Sequence, residues 1–241
     1  MDIEKINNIH KTQIDFSNKL IGLNKSSKHE NREKIPARFP SLLIDPRKQI
    51  LSRYRGDSVT RYDTVLRYKY FFNYKTGETV RSDYFTENYE PTATDVFAAN
   101  FPHMVDVGIM GHCMHGKSGL CLKSGVQCYQ NGLEISKPNM SLKDFVGIVE
   151  QCKDLTNQFA LGGRGDPNEH EDFETILRIC RENRIVPNYT TSGFNLTDKQ
   201  IEISKKYCGA VAVSWYRGEY TLSAIRRLVD AGVKTNIHYV L

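Results

Sequence analysis

The sequence predicts an α/β fold: a parallel sheet covered by helices. Beyond residue 104, five short apolar or β-branched runs alternate with segments of helical period. From the second run onward, strand starts recur about every 25 residues, the length of one βα unit. The intervening helices supply the crossovers that parallel neighbours need.

The first run, MVDVGIM (104–110), is bounded by Gly111. Ser141 precedes a helical pattern to about Leu155, and the second strand, Phe159-Ala160-Leu161, ends in Gly162-Gly163. Residues 171–183 are helical by period, and IVPNYTTSG (185–193) reads as the third strand. Thr197 with Gln200 has capping-box spacing and opens a helix to about Tyr207. GAVAVSWY (209–216) is the fourth strand, Thr221 to Ala231 the next helix, and VKTNIHYVL (233–241) the fifth strand.

The N-terminal part differs in texture. Residues 1–60 read as polar connector, broken at Pro36, Pro40 and Pro46. They hold 12 Lys/Arg against 7 Asp/Glu, so the net charge of +5 resides in this arm and the rest is neutral. From Arg61 to Phe85, β-branched and aromatic residues flank Lys75-Thr76-Gly77-Glu78, a hairpin turn. Tyrosines interleaved with Arg61, Arg67, Lys69 and Lys75 have the composition of a stacking surface for single-stranded nucleic acid. An ordinary ribbon packed on the larger domain is the preferred reading, and a nucleic-acid partner is not expected. The expected division is an extension over residues 1–100, basic arm plus β-hairpin, and an α/β domain over 101–241.

With 241 residues, 39% of them hydrophobic, the chain affords one large domain or a domain with an extension. No stretch approaches the roughly 20 apolar residues of a membrane span. The N-terminus lacks an apolar signal region, so a cytoplasmic location is expected.

Six cysteines in such a chain do not suggest a disulfide framework. Cys152 ends the series Phe145, Ile148, Val149, and Cys180 ends Phe173, Ile176, Leu177, so both are expected to face a core. Cys208 opens a strand-like run and is read the same way. Cys113, Cys121 and Cys128 instead crowd the segment that follows the first strand, where α/β folds place ligand sites.

That segment has three readings. Gly111–Ser118 fits the phosphate-loop pattern G-x-x-x-x-G-K-[ST], with Lys117 and Ser118 as nucleotide and magnesium ligands. Against it, Gly119 and Gly125 interrupt the helix that should follow. Zinc is the second: His112, His115 and the three cysteines offer donors, but no tight C-x2-C or H-x3-H knuckle is present. The third is an iron–sulfur cluster on three thiolates, wrapped by a glycine-rich loop.

Further along, Gly162-Gly163-Arg164-Gly165-Asp166-Pro167 follows the second strand, with His170, Asp172 and Phe173 leading into a helix; Thr190-Thr191-Ser192-Gly193 ends the third. With the cysteine loop, this series resembles the radical S-adenosylmethionine superfamily over about residues 104–241. The resemblance implies a partial (β/α)6 TIM-like barrel, with about five parallel strands present here. It implies a [4Fe-4S] cluster on Cys113, Cys121 and Cys128, and S-adenosylmethionine at Gly162, Gly163, Gly165 and Asp166. Ser192, Ser214 and Tyr129 are the further candidates for its methionyl, ribose and adenine parts. The implied activity is reductive cleavage of S-adenosylmethionine to a 5′-deoxyadenosyl radical that abstracts hydrogen from an unnamed substrate, fed by a donor such as ferredoxin or flavodoxin. The chain departs from the family pattern in three ways: C-x7-C-x6-C spacing instead of C-x3-C-x2-C, Asp166 where Glu is usual, and five strands instead of six. A glycine in the Gly162–Asp166 turn is expected wherever a Cβ would occupy the ligand's space.

Overall fold

The computed structural model describes residues 49–239 except 89, 93–98, 117–118, 129 and 132–133. Most of the basic arm therefore lies outside the described residues. Leu42–Leu241 forms one compact unit.

Its larger part is the expected alternation. Strands β5 (Met104–Met110), β6 (Gln158–Gly163), β7 (Val186–Thr191), β8 (Val211–Trp215) and β9 (Thr235–Tyr239) form one parallel sheet in sequential order. This is the arrangement of a partial (β/α) barrel. After a single turn, α1 (Leu120–Lys123), the crossovers are α2 (Leu142–Cys152), α3 (Phe173–Glu182), α4 (Asp198–Tyr207) and α5 (Glu219–Asp230). Their starts follow local chemistry: Ser141 caps α2 by accepting from Asp144 N, and Thr197 with Gln200 completes the capping box of α4. Phe145, Val149, Phe173, Ile176, Leu177, Ile201, Ala224 and Leu228 project from the helices onto Val107, Ile109, Phe159, Leu161, Tyr189 and Val213 of the sheet. Cys180 is fully buried in that core, with Cys152 and Cys208 packed against it; burial pushes the Cys208 thiol up to about 12.

The N-terminal part is larger than the single hairpin expected. Strands β1 (Ile50–Arg55), β2 (Ser58–Asp63), β3 (Tyr68–Asn73) and β4 (Thr79–Arg81) form a four-stranded antiparallel sheet in order. The expected turn joins β3 to β4, with Gly77 at positive φ. The polar connector assigned to residues 1–60 needs correction from Ile50 onward: β1 and β2 close a tight hairpin at Gly56 (φ 52°) and Asp57. Four of the six β1 residues are exposed, so its sequence lacks the apolar alternation of a half-buried strand.

Tyr68, Tyr70 and Phe72 are at most 1% exposed, so these rings are unavailable for stacking on bases. With Phe101 they pack against Val186 and Leu155 at the N-terminal edge of the parallel sheet. Polar contacts fasten the same seam. Arg61, itself buried, donates to Asn157 just ahead of β6, and Tyr74 Oη donates to the same side chain at 3.2 Å. Arg181 Nη1 donates to Tyr74 O at 3.1 Å, Lys234 donates to Thr76 O, and the Arg184 guanidinium lies 4.5 Å over the Tyr54 ring. A guanidinium buried this deeply is tolerated only with such partners. The antiparallel sheet thus covers the end of the strands opposite the cysteine loop.

His103, at the start of β5, stacks on Tyr70 (3.9 Å between centroids) and pairs with Tyr68 Oη at 3.2 Å. Burial, with Arg81 and Arg61 nearby, lowers its pKa to about 4. The neutral ring is the one that fits, so its contribution is complete above the unfolded value of about 6.5 and is lost as pH falls from there towards 4. Urea unfolding should show a loss between pH 7 and 4.5 that is smaller in His103→Phe by about 1–2 kcal/mol, after discounting for solvent screening. The same pH dependence in both proteins would refute this role.

Candidate functional site

Side chains alternate across each parallel strand, so one set packs on the helices and the other faces a cleft. Val107, Phe159, Leu161, Tyr189 and Val213 belong to the core. Asp106, Gly108, Ala160, Gly162, Thr190, Ser214 and His238 line a cleft of about 790 Å³ at the C-terminal ends of the strands. The loop after β5 closes it from above.

That loop, residues 111–140, is pinned where it leaves and returns. Lys137 N donates to Gly111 O at 3.0 Å, Gly111 N to Asn139 Oδ1 at 3.0 Å, and Met140 N to Ile109 O at 2.8 Å. Between these anchors each of the three cysteines starts a turn: Gly116 N donates to Cys113 O, Val126 N to Cys121 O, and Asn131 N to Cys128 O. None of the three is in a disulfide; all are half-buried and line this cleft. Burial raises the pKa of Cys113 and Cys121. The negative charge of Asp166 raises both further, as does Cys121 on Cys113 and Cys128 on Cys121. Cys113 and Cys121 are thus held in the neutral thiol form, and a bound cation would favour their thiolates.

The alternatives for this loop fare less well. Lys117 and Ser118 lie outside the described residues, but a phosphate cradle needs free backbone donors nearby. Gly111 N, Gly116 N and Gly119 N are all spent on bonds within the protein, and the helix that follows is a single turn. Among the described residues, no three or more His, Cys, Asp or Glu side chains, the three cysteines included, are gathered as a metal site, and the tight knuckles that structural zinc uses are absent from the sequence.

Of the residues singled out from the sequence, Cys113, Cys121, Cys128, Gly162, Gly163, Gly165, Asp166, Ser192 and Ser214 come together on this cleft. Tyr129 lies outside the described residues. The glycines serve different purposes. At Gly163 (φ +121°) a Cβ would lie 2.4 Å from Met110 O, and at Gly165 it would lie 2.5 Å from His112 O and 3.2 Å from Cys113 Cα. These two let β5 and its loop approach β6, a packing requirement that by itself demands glycine at both positions. At Gly162 a Cβ would meet nothing within 4 Å, which leaves open space on the cleft wall.

Asp166 is already engaged. Its carboxylate accepts from Ser192 N (2.9 Å), Ser192 Oγ (2.5 Å) and Thr191 Oγ1 (3.2 Å), which ties the turn after β6 to the end of β7. His115 Nε2 lies 3.5 Å from Asp166 Oδ2 and 3.3 Å from Glu169 Oε1. The two carboxylates outweigh burial and raise the His115 pKa to about 9, so the ring is an imidazolium at neutral pH. Tyr216, just past β8, was not foreseen: its hydroxyl meets Cys121 and Ser214, and burial raises its pKa. The aromatic end of GAVAVSWY was the available signal.

No protein-family model matches the chain, and no curated protein does so. Among solved structures, it resembles Streptococcus suis SuiB bound to the precursor peptide SuiA, at 13% identity and a TM-score of 0.51, over 78% of this chain and 56% of that one. It also resembles SuiB bound to S-adenosylmethionine (18% identity, TM-score 0.45, 57% of this chain and 33% of that one). A third likeness is to BtrN in complex with AdoMet and 2-DOIA (16% identity, TM-score 0.42, 57% of this chain and 55% of that one). The chain spans about a third to just over half of these proteins' lengths. The likeness to the SuiA-bound SuiB shows a shared fold; function is argued from the site.

Gly163→Ala should lower the stability of the metal-free protein by more than about 1 kcal/mol, because a positive-φ glycine pressed on backbone cannot accept a Cβ. Gly162→Ala should change it far less. Thermal unfolding of the two variants decides; equal losses would mean that the contact with Met110 is not what demands glycine.

Proposed function

We propose that this chain carries the barrel of a radical S-adenosylmethionine enzyme, with Cys113, Cys121 and Cys128 holding a [4Fe-4S] cluster. The observation that carries the reading is three half-buried thiols, none in a disulfide, lining one cleft beside an open glycine wall. Three cysteines suit a cluster that keeps one iron open to another ligand. SuiB, whose fold this chain shares, is bound to S-adenosylmethionine in another of its structures.

Bound there, the reduced cluster supplies one electron that splits S-adenosylmethionine into methionine and a 5′-deoxyadenosyl radical, which takes a hydrogen atom from the substrate. The protein's part is to bind, orient and exclude water. The looped segment 111–140 surrounds the thiols with its ends fixed to β5. Gly162 offers a bare Cα and open space on the wall that would hold the cofactor, with Gly163, Gly165 and Asp166 shaping the turn. Ser192 and Ser214 present hydroxyls at the ends of β7 and β8, and Tyr216 holds Cys121 from the far side. Asp106, Gln127, Gln130, Thr190 and His238 set hydrogen-bonding groups among an otherwise apolar lining that includes Val107, Met110, Leu120 and Leu161, which suits a substrate bearing a few polar groups. The electron would come from a ferredoxin- or flavodoxin-like donor. No helix among the described residues is long and apolar enough to cross a membrane.

Anaerobic reconstitution should give a brown protein with about four irons per chain. Cys113→Ala, Cys121→Ala and Cys128→Ala should each lose most of the iron, whereas Cys152→Ala keeps it. Gly162→Val, which fills open space without touching the fold, should keep the iron and weaken S-adenosylmethionine binding at least tenfold in a spectroscopic titration. Stoichiometric zinc without iron, or tight magnesium–ATP binding by the metal-free protein, would overturn the proposal.

A further inference from the structure

His115 has no part in the cysteine set, yet it is the most enclosed side chain at the loop. Its side chain is 8% exposed, and it stands between two carboxylates from one short segment, Asp166 and Glu169. These flank the 3-10 turn Pro167–Glu169 that follows the glycine turn. Asp166 continues the chain of contacts to Ser192 and Thr191 at the end of β7. The carbonyl of Asn168 accepts from Gln200 Nε2 at 2.6 Å, which anchors the same turn to the cap of α4. Phe194 closes over the imidazole edge-on, at 5.0 Å between centroids, and Tyr220 backs Phe194 at 5.4 Å. His115 thus reaches both carboxylates from the loop, two residues beyond Cys113.

We propose that His115 is a positioning residue: clamped between Asp166 and Glu169, it sets the distance between the Cys113 arm of the loop and the cleft wall formed by Gly162–Asp166 and Ser192. This rests on the reading of the cleft as a cluster and S-adenosylmethionine site, and assigns that site its alignment. The clamp joins the Cys113 arm of the loop to the turn after β6 and, through Asp166, to the end of β7, while Asn139–Glu171 and His170–Met140 link only the loop's returning end to the segment beyond that turn. Gly165 allows the approach by leaving room for Cys113 Cα, and His115 holds it. Its loss would leave the thiols able to take up iron but misaligned with the wall.

The test has two arms. In metal-free protein, His115→Phe, Glu169→Gln and the double variant form a thermodynamic cycle by thermal unfolding. The clamp predicts a double variant about as stable as His115→Phe alone, because once the imidazole is gone Glu169 has no contact with it left to lose. Additive losses would overturn it, whatever the parent binds. In reconstituted protein, His115→Gln, which keeps one amide donor, and His115→Phe should retain the parent's iron content. Their S-adenosylmethionine dissociation constants should rise about threefold and more than tenfold respectively, with a smaller change in the cluster's electron paramagnetic resonance spectrum on adding S-adenosylmethionine. Ile176→Val, a core change remote from the cleft, should lower the melting temperature without moving either readout. Parent-like affinity in His115→Phe would reduce His115 to a fold contact and overturn the proposal. A parent that takes up no iron would instead overturn the cluster reading, and the metal-free cycle would still decide whether the clamp exists.

Discussion

The close approach of β5 to β6 at their C-terminal ends is the constraint on which the cleft depends. The register runs evenly from Met104 opposite Gln158 to Gly108 opposite Gly162, then slips so that Met110 faces Gly163. Arg164 N then donates to Met110 O at 2.9 Å, which carries the pairing beyond the last strand residue. Gly163 permits this, since any side chain there would run into the Met110 backbone. The consequence is local and chemical. The cysteine loop and the glycine turn, separated by a whole helix in sequence, leave the sheet side by side. Everything proposed for the site, from thiols facing a wall to a histidine reaching two carboxylates, follows from that adjacency.

The parallel sheet was legible because each strand and helix carried its own period. Core residues in α2 and α3 recur at helical spacing, and Thr197 and Gln200 spelled out a cap that the structure contains. β1 was not legible for the opposite reason: four of its six side chains are exposed, so its pairing with β2 draws on the hairpin at Gly56 rather than on an apolar face. Arg61 was legible only in part: the packed ribbon preferred for its segment is what the structure contains, but its burial on Asn157 depends on a partner that no local pattern reveals.

At the site, the residue types that crowd together in sequence were identified, and the long-range partners were not. Three cysteines in one loop announce themselves. The pairing of His115 with Asp166 and Glu169 joins segments on either side of α2, and nothing in either segment alone specifies it. The glycines divide by geometry that sequence cannot carry: Gly163 and Gly165 make room for backbone, while Gly162 leaves the wall open. The antiparallel sheet completes the picture from the other end. By covering the N-terminal edge of the strands with buried aromatics, it leaves the C-terminal edge as the face where chemistry can occur.

The central claim is that the three thiols would hold one four-iron cluster and leave one iron open to S-adenosylmethionine. Mössbauer spectroscopy of protein reconstituted with iron-57 tests it most directly. The account predicts a four-iron cluster in which one iron in roughly four, the one without a cysteine ligand, changes its spectrum when S-adenosylmethionine is added. A spectrum unaltered by S-adenosylmethionine, or one in which all the iron sites respond alike, would contradict it.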